Sequence, residues 1–175
     1  MKVFKFGGAS VKDAAGVKNL SSIVHQQHGQ LIVVVSAMGK TTNLLETLCN
    51  AYFHQDPKTT AIMKELKNFH LDIVNTLFPL NDTIHKHLEE LFTSLENILA
   101  SESSLCYDYE YDRIICFGEL ISTTIISDYL KMKGIENQFI DIRKFLKTDQ
   151  NYRNANIDLE LSEQLCKDPF DFNTS

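Results

Sequence analysis

Two short polar turns carry the residue types that bind phosphate groups, and each turn lies between a predicted strand and a predicted helix. The first is KFGGASV, Lys5 to Val11, and the second is SAMGKTT, Ser36 to Thr42. Glycines let the backbone approach a ligand closely, and the backbone N–H groups at a helix start attract anions. Lys5 adds a positive charge, and Ser10 is placed to cap the following helix or to contact a ligand. The two turns therefore predict neighbouring anion sites.

Two common nucleotide-binding motifs do not account for these turns. The pattern G-x-G-x-x-G fails because no glycine follows Gly8 until Gly16. The Walker A pattern fails at Gly39 to Thr41 because its first glycine position is occupied by Val34. The chain is therefore predicted to have neither a Rossmann fingerprint nor a P-loop.

A third polar position is Glu119, within the stretch FGELIS, Phe117 to Ser122, of an otherwise apolar predicted helix. A buried acid needs a partner, so Glu119 either lies on a solvated helix edge or receives a cation such as an amino group. A purely structural interpretation is also open for the first turn. In that interpretation Gly7 and Gly8 serve a tight turn, and Lys5 is a solvated strand end.

The sequence around these stretches predicts an α/β fold that places both turns at one edge of a parallel sheet. Strands are predicted at Lys2 to Phe6, Leu31 to Val35 and Gln138 to Ile142. Helices are predicted at 11–29, 44–52, 66–77, 84–99 and 109–133, with a weak one from Leu159. Ser10 and Asp13 form an S-x-x-D capping pattern at the first helix. Residues 58–102 are predicted to contain an antiparallel helical hairpin with its connection at Pro79 to Asp82.

The composition is that of one soluble globular domain, with 175 residues, a formal net charge of -6 and 43% hydrophobic residues. Since no block of Lys and Arg occurs, neither a nucleic-acid partner nor an anionic membrane partner is predicted. The longest apolar run, Leu31 to Val35, is too short to span a bilayer, and the start MKVFKFGG lacks signal-peptide features. We therefore predict a cytoplasmic protein.

The four cysteines have no C-x-x-C spacing and lie in apolar surroundings, so buried and reduced thiols are predicted rather than disulfides. They are Cys49, Cys106, Cys116 and Cys166. No metal site is predicted, because the six histidines are scattered over helical segments.

The three polar stretches, in this order, resemble the aspartate kinases of the amino-acid kinase superfamily. KFGGASV is similar to that family's K-[FY]-G-G-[TS]-S-[VL], SAMGKTTNLL to its S-A-x-x-x-x-T-N-L-L, and FGELIS to its G-E-x-x-S. DIRKFLKTD, Asp141 to Asp149, also resembles the segment after the family's third strand. The resemblance implies a three-layer αβα sandwich with a mainly parallel sheet, a carbamate kinase-like fold, and a helical hairpin insertion.

The resemblance further implies transfer of the γ-phosphoryl group of ATP to the side-chain carboxylate of L-aspartate, giving 4-phospho-L-aspartate. It assigns Lys5, Phe6, Gly7 and Gly8 to the loop that holds the ATP phosphates. Lys5 has the catalytic role of neutralising charge on the transferring group, and Ser36 approaches the phosphates from the second turn. Mg²⁺ is expected to arrive with ATP, held by phosphate oxygens and water.

Two residues are assigned to the substrate by the same resemblance. Thr42 matches the hydroxyl that contacts aspartate, and Glu119 matches the acid that binds its α-amino group. A carboxylate is already nucleophilic, so this reaction needs alignment and charge neutralisation rather than a general base. The implied reaction is the first step of lysine, threonine and methionine biosynthesis.

The chain also departs from the family pattern. Ala9 stands where the family often has threonine, which leaves side-chain contacts there to Ser10 or to the backbone. The family's later R-G-G-S-D motif, its adenine pocket and its regulatory ACT domains do not occur in these residues. We therefore expect residues 1–175 to be the amino-terminal portion of a single kinase domain. These residues alone are not expected to catalyse the reaction, and the complete protein is expected to be a homo-oligomer.

Two alternatives stay open from the sequence. In the first, the fold is kept and the acceptor differs, as in acetylglutamate, glutamate 5-, uridylate or carbamate kinases. The TNLL and GE signatures argue against that alternative. In the second, the chain is a non-catalytic ligand-binding domain that has kept the loops but lost the chemistry.

Overall fold

The computed structural model describes residues 1–78 and 83–170, and its sheet consists there of two parallel strands. β1 is Lys2–Phe6 and β2 is Leu31–Val35, and they pair in register from Lys2 with Leu31 to Phe6 with Val35. The Ser36 N–H donates to the Phe6 carbonyl at 3.0 Å, which extends the pairing beyond the strand ends. Because the strands are parallel, both predicted turns leave the sheet at its carboxyl edge, as expected.

Seven α-helices occur in the described residues. They are α1 (Ala14–His25), α2 (Thr41–Phe53), α3 (Thr59–Leu77), α4 (Thr83–Ala100), α5 (Tyr107–Ile115), α6 (Phe117–Met132) and α7 (Leu159–Cys166). The side chains of Phe6, Val33 and Val35 pack against the helical core, whereas Val3 and Val34 on the other face are 58% and 47% exposed. The predicted α/β class with a parallel sheet is confirmed. No helix in the described ranges is both long and apolar enough to cross a membrane.

α3 and α4 form the predicted antiparallel pair. The Lys67 ammonium, in the first half of α3, lies 2.7 Å from the Glu96 carboxylate near the end of α4. The Tyr52 hydroxyl at the end of α2 donates to the Ser101 carbonyl at 3.2 Å, which fixes the base of the pair. The connection predicted at Pro79 to Asp82 lies outside the described residues.

The single helix predicted at 109–133 is wrong, because the chain forms α5 and α6 with a break at Cys116. The break has a packing cause. α5 contacts α2 through the Tyr111 hydroxyl, which donates to the Glu46 carboxylate at 2.6 Å. α6 instead approaches the Ser36 to Thr42 turn, where the Ser122 hydroxyl donates to the Ser36 carbonyl at 2.9 Å. A single straight helix through Cys116 would have to make both the Tyr111–Glu46 and the Ser122–Ser36 hydrogen bonds along one axis.

The start of the first helix also differs from the prediction. Gly8–Val11 is a short 3₁₀ helix that contains Ser10, and α1 begins only at Ala14. Asp13 is the capping residue, since its carboxylate accepts a hydrogen bond from the Gly16 N–H at 2.8 Å. The predicted Ser10 cap is therefore wrong.

The strand predicted at Gln138 to Ile142 is also absent from the described structure. The Asp141 carboxylate accepts from the Arg143 N–H at 3.2 Å, which turns the chain into the 3₁₀ helix Ile142–Lys144. A mostly apolar groove of about 610 Å³ is lined by residues 137–143, β2 and α6. The apolar pattern of this segment thus reflects contact with the groove rather than pairing in the sheet.

The cysteines are all free, as predicted, but their burial varies. Cys49 is buried, Cys116 and Cys166 are half-buried, and Cys106 is exposed just before α5. The prediction of buried thiols is therefore confirmed for Cys49 and wrong for Cys106, which precedes α5 at the surface and makes no side-chain capping hydrogen bond.

His70 is a polar residue that lies fully inside the core, on α3. Its Nδ1 lies 2.8 Å from the Leu66 carbonyl oxygen, and its Nε2 lies 3.4 Å from the Thr41 hydroxyl oxygen. Burial lowers the pKa of His70 from 6.5 to about 4, because the charged ring is poorly solvated there.

Acid is therefore expected to weaken the fold through His70. Between pH 6.5 and about 4 the unfolded chain binds a proton at this ring that the folded chain does not bind. The free energy of unfolding should fall as the pH drops through this window, by about 3 kcal/mol across it. Urea denaturation at several pH values, compared with His70→Gln, measures this contribution, and the variant should show a flatter dependence. Val74→Ala, a core truncation on the same helix, should keep the wild-type slope; an unchanged slope in His70→Gln would contradict the assignment.

Candidate functional site

The two polar turns lie against each other in the structure. We call Lys5 to Val11 the first loop and Ser36 to Thr42 the second loop. The Gly39 N–H of the second loop donates to the Gly8 carbonyl of the first at 3.0 Å. A Cβ atom placed on Gly8 would lie only 2.6 Å from the Ala37 carbonyl oxygen. The close approach of the two backbones therefore depends on glycine at position 8, and the predicted adjacency of the turns is confirmed.

Gly8→Ala is expected to separate the two loops and to lower the free energy of unfolding by about 1–3 kcal/mol, since a backbone atom must move. Gly7→Ala is the matched control, because a Cβ there meets only the mobile Lys5 ammonium, at 3.4 Å. Urea denaturation of both variants measures the difference. Equal stabilities of the two variants would show that the loops are not in close contact in solution.

Positive charge surrounds the two loops. The exposed Lys5 side chain folds toward Gly7, and the Lys12 Cβ lies 3.5 Å from the position that a Gly39 Cβ would take. Lys40, also exposed, lies within the second loop. The motif comparison singled out only Lys5, because the 3₁₀ helix that brings Lys12 back over the second loop has no clear sequence signal. The loops thus form a basic surface suited to a phosphate group.

The helix start that can attract an anion belongs to α2 rather than to α1. Asp13 caps α1 with a carboxylate, so the α-helix N-terminus predicted behind the first loop is not available to an anion. α2 begins at Thr41, near the end of the second loop, and its capping position, Lys40, makes no side-chain hydrogen bond to the helix. The first N–H groups of a helix lack acceptors within it, so the start of α2 presents donors beside Thr42.

α6 brings Glu119 to the second loop. The Ala37 N–H donates to the Glu119 carboxylate at 3.3 Å, and the rest of this side chain is exposed. The preceding residue, Gly118, packs so closely that a Cβ there would lie 2.9 Å from the Ala37 Cβ. Ser122 completes the contact through its bond to the Ser36 carbonyl. Glu119 therefore contacts the loop backbone and still has an exposed face for a cation.

All the residues predicted for the site lie on three neighbouring segments. They are Lys5, Phe6, Gly7 and Gly8 on the first loop, Ser36 and Thr42 on the second, and Glu119 on α6. Phe6 and Ser36 contribute through the backbone, since they share a hydrogen bond, and the Phe6 side chain packs on the core. The prediction missed the roles of Gly118 and Ser122, although the G-E-x-x-S spacing makes Ser122 a helix-face neighbour of both Glu119 and Gly118.

Glu119 also lines the groove of about 610 Å³ beside β2. Near it, Arg143 is ion-paired with Asp141 at 2.7 Å and donates to the Cys116 sulfur at 3.2 Å. The hydrogen bond from Arg143 lowers the pKa of Asp141, which keeps this carboxylate charged. Burial raises the pKa of the Cys116 thiol, so the sulfur stays protonated near neutral pH and is a poor nucleophile. The thiol is therefore not a nucleophile in this region, and Arg143 and Asp141 neutralise each other.

Comparison with known proteins gives a consistent result. The chain matches the amino acid kinase family over residues 1–170. It is 27% identical over 166 residues to lysine-sensitive aspartokinase 3 of Escherichia coli, covering 94% of this chain and 36% of that protein. It is 31% identical over 164 residues to the chloroplastic aspartokinase 2 of Arabidopsis thaliana, covering 89% and 29% of the two proteins.

A solved structure shows the same fold. The crystal structure of Escherichia coli aspartokinase III in complex with aspartate and ADP superposes with a TM-score of 0.84 at 25% identity. The match covers 95% of this chain and 36% of that chain, so the chain spans about a third of the length of such relatives. Since the family match extends over residues 1–170 and includes both loops and Glu119, the chain belongs to the amino acid kinase family.

Proposed function

We propose that this chain is the amino-terminal portion of the kinase domain of an aspartate kinase. The complete protein would transfer the γ-phosphoryl group of ATP to the side-chain carboxylate of L-aspartate. The observation that carries the proposal is the convergence of the first loop, the second loop and Glu119, held by the Gly39–Gly8 and Ala37–Glu119 hydrogen bonds. The relatives are aspartokinases, and one solved relative is in complex with aspartate and ADP.

The geometry supports separate roles for the phosphate-binding and the aspartate-binding residues of the site. The basic surface of Lys5 and the donors at the start of α2 would hold the phosphates and neutralise the charge that develops on the transferring group. Glu119 would receive the α-amino group of aspartate through its exposed face, and the Thr42 hydroxyl would contact the same substrate. The acceptor carboxylate attacks phosphorus without a general base, so alignment and electrostatics supply the catalysis.

Further parts of the proposal rest on the family alone. Mg²⁺ would arrive with ATP on its phosphate oxygens and would shield their charge. The complete protein would be a cytoplasmic homo-oligomer that begins lysine, threonine and methionine biosynthesis. The 175-residue chain by itself would not turn over.

An aspartyl-hydroxamate assay with MgATP tests the proposal. It should be run on the protein translated from the complete reading frame and on the 175-residue chain, with glutamate as the control substrate. Formation of aspartyl-hydroxamate by the complete protein alone is the expected result. Activity with glutamate instead would indicate a different acceptor, and inactivity with both would favour a non-catalytic binding domain.

A further inference from the structure

His70 connects the α3–α4 hairpin, which contains none of the predicted site residues, to the second loop. The side chain is fully buried on α3, and its ring reaches Thr41, the first residue of α2. Thr41 directly precedes Thr42, which is assigned to aspartate. No pattern in the sequence marked His70, since an isolated histidine on an apolar helix face has no motif around it.

The surroundings of the ring determine its protonation. Nδ1 lies 2.8 Å from the Leu66 carbonyl oxygen, which can only accept, so Nδ1 carries the hydrogen and donates it. In the neutral ring Nε2 is then an acceptor, 3.4 Å from the Thr41 hydroxyl oxygen. The single hydrogen of the Thr41 hydroxyl goes to the nearer acceptor, the Met38 carbonyl at 2.6 Å, so the His70 ring meets this hydroxyl by packing against it. The hydroxyl is therefore bonded to a loop carbonyl and enclosed by the His70 ring, which limits its movement.

Phe69 gives the second loop a second point of support from α3. Its ring tip lies 3.5 Å from the position that a Gly39 Cβ would take. The Phe69 ring also meets the His70 ring edge to face, with centroids 4.9 Å apart. Helix α3 thus contacts the loop at both Gly39 and Thr41. The Ala37 N–H, which donates to the Glu119 carboxylate, belongs to the same loop.

We propose that His70 is a positioning residue for the aspartate side of the site, acting through the Thr41 hydroxyl to hold Thr42 and the Ala37 N–H in place. This inference rests on the proposed function for its substrate. His70 itself does not touch substrate in this arrangement, because it is enclosed by the core. Loss of the ring would let the second loop shift, and small displacements of binding groups weaken binding strongly.

Steady-state kinetics of the complete protein test the proposal with His70→Leu, and with Val74→Ala as a matched core truncation on α3. We expect His70→Leu to raise the KM for aspartate about tenfold, while kcat and the KM for ATP change less than about threefold. Thr41→Val removes the hydroxyl that the His70 ring packs against, together with its bond to the Met38 carbonyl, and should raise the KM for aspartate at least as much. In the double variant the two effects should not add.

Several results would overturn the proposal. One is a KM for aspartate that rises no more in His70→Leu than in Val74→Ala. Another is a double variant, His70→Leu with Thr41→Val, in which the two effects on the KM for aspartate add in full. If His70→Leu fails to fold, Thr41→Val alone decides, since an unchanged KM for aspartate would exclude the contact.

The failure of the proposed function is separable from the failure of this inference. If the wild-type protein forms no aspartyl-hydroxamate, the substrate assignment fails. The effect of His70 on the position of the second loop can then be measured by amide NMR spectra of the 175-residue chain. His70→Leu should then shift the signals of residues 36–42 more than Val74→Ala does. Equal shifts in the two variants would overturn the positioning role.

Discussion

Replacing Lys5 with alanine is expected to lower the kcat for aspartyl phosphate formation by about 100-fold or more, equivalent to about 2.7 kcal/mol of transition-state stabilisation. The Lys5 ammonium lies over Gly7 in the first loop, and Gly8 of that loop is hydrogen-bonded to Gly39 of the second loop, which leads into α2. Its charge would oppose the negative charge that develops between the γ-phosphoryl group and the attacking carboxylate. An interaction that strengthens in the transition state affects kcat more than KM.

Lys2→Ala is the matched control for this experiment, because it removes the same charge from the other end of β1. The Lys2 ammonium contacts Gln27 at 3.0 Å, away from both loops, so near wild-type activity is expected. Lys5→Arg should recover part of the lost rate, since it keeps the charge but not the compact ammonium. A kcat within about threefold of wild type in Lys5→Ala would remove Lys5 from the catalytic role.

Local pattern and loop chemistry were sufficient to predict the part of the fold that positions the site. The β-branched run Leu31 to Val35 and the short segment Lys2 to Phe6 before the two glycines predicted two parallel strands, and parallel strands necessarily bring their following turns to one edge. The helix periodicity around Leu66 and Leu88 likewise predicted α3 and α4. In each case the signal lay within a single element, although α3 begins at Thr59 and not at the predicted Leu66.

The elements that were predicted wrongly are those decided by particular contacts rather than by a periodic pattern. Cys116 has no helix-breaking chemistry, and the break there follows from contacts that α5 and α6 make with different partners. Ser10 and Asp13 are both good capping residues, and only the 3₁₀ turn of the first loop decides between them. Residues 138–142 have a strand composition, but Asp141 and Arg143 turn the chain instead. Sequence periodicity has no information about these contacts, which are long-range at Cys116 and local at Asp13 and Asp141.

For the site as well, local motifs predicted some of the residues, whereas the roles of others depend on long-range contacts. Motifs predicted Lys5, the glycines, Ser36, Thr42 and Glu119, because phosphate and amino-group recognition require particular residue types. The supporting residues His70 and Ser122 were not predicted, since their roles depend on which loop they contact. A buried histidine or a small polar residue on a helix is common in cores, and only the three-dimensional contacts distinguish these two.

Replacing Glu119 with glutamine is expected to raise the KM for aspartate about 30-fold while kcat changes little, which corresponds to loss of about 2 kcal/mol of charge-assisted binding. Glutamine keeps an oxygen that can accept from the Ala37 N–H, a contact 3.3 Å long in the structure. The loop should therefore stay in place, and only the negative charge offered to the α-amino group is lost. A change in KM without a change in kcat indicates binding that is equal in the ground state and the transition state.

Two further variants, Glu119→Ala and Glu136→Gln, identify the cause of a raised KM for aspartate in Glu119→Gln. Glu136→Gln removes one negative charge from an exposed position beyond α6, so the KM for aspartate should not change. Glu119→Ala removes the charge and also leaves the Ala37 N–H without its carboxylate acceptor, so it should raise the KM further and lower the free energy of unfolding. If Glu119→Gln instead matches wild type while Glu119→Ala alone is impaired, the carboxylate serves to hold the second loop, and another group must receive the amino group. Measured side by side, the three variants therefore separate substrate recognition by Glu119 from support of the loop that it contacts.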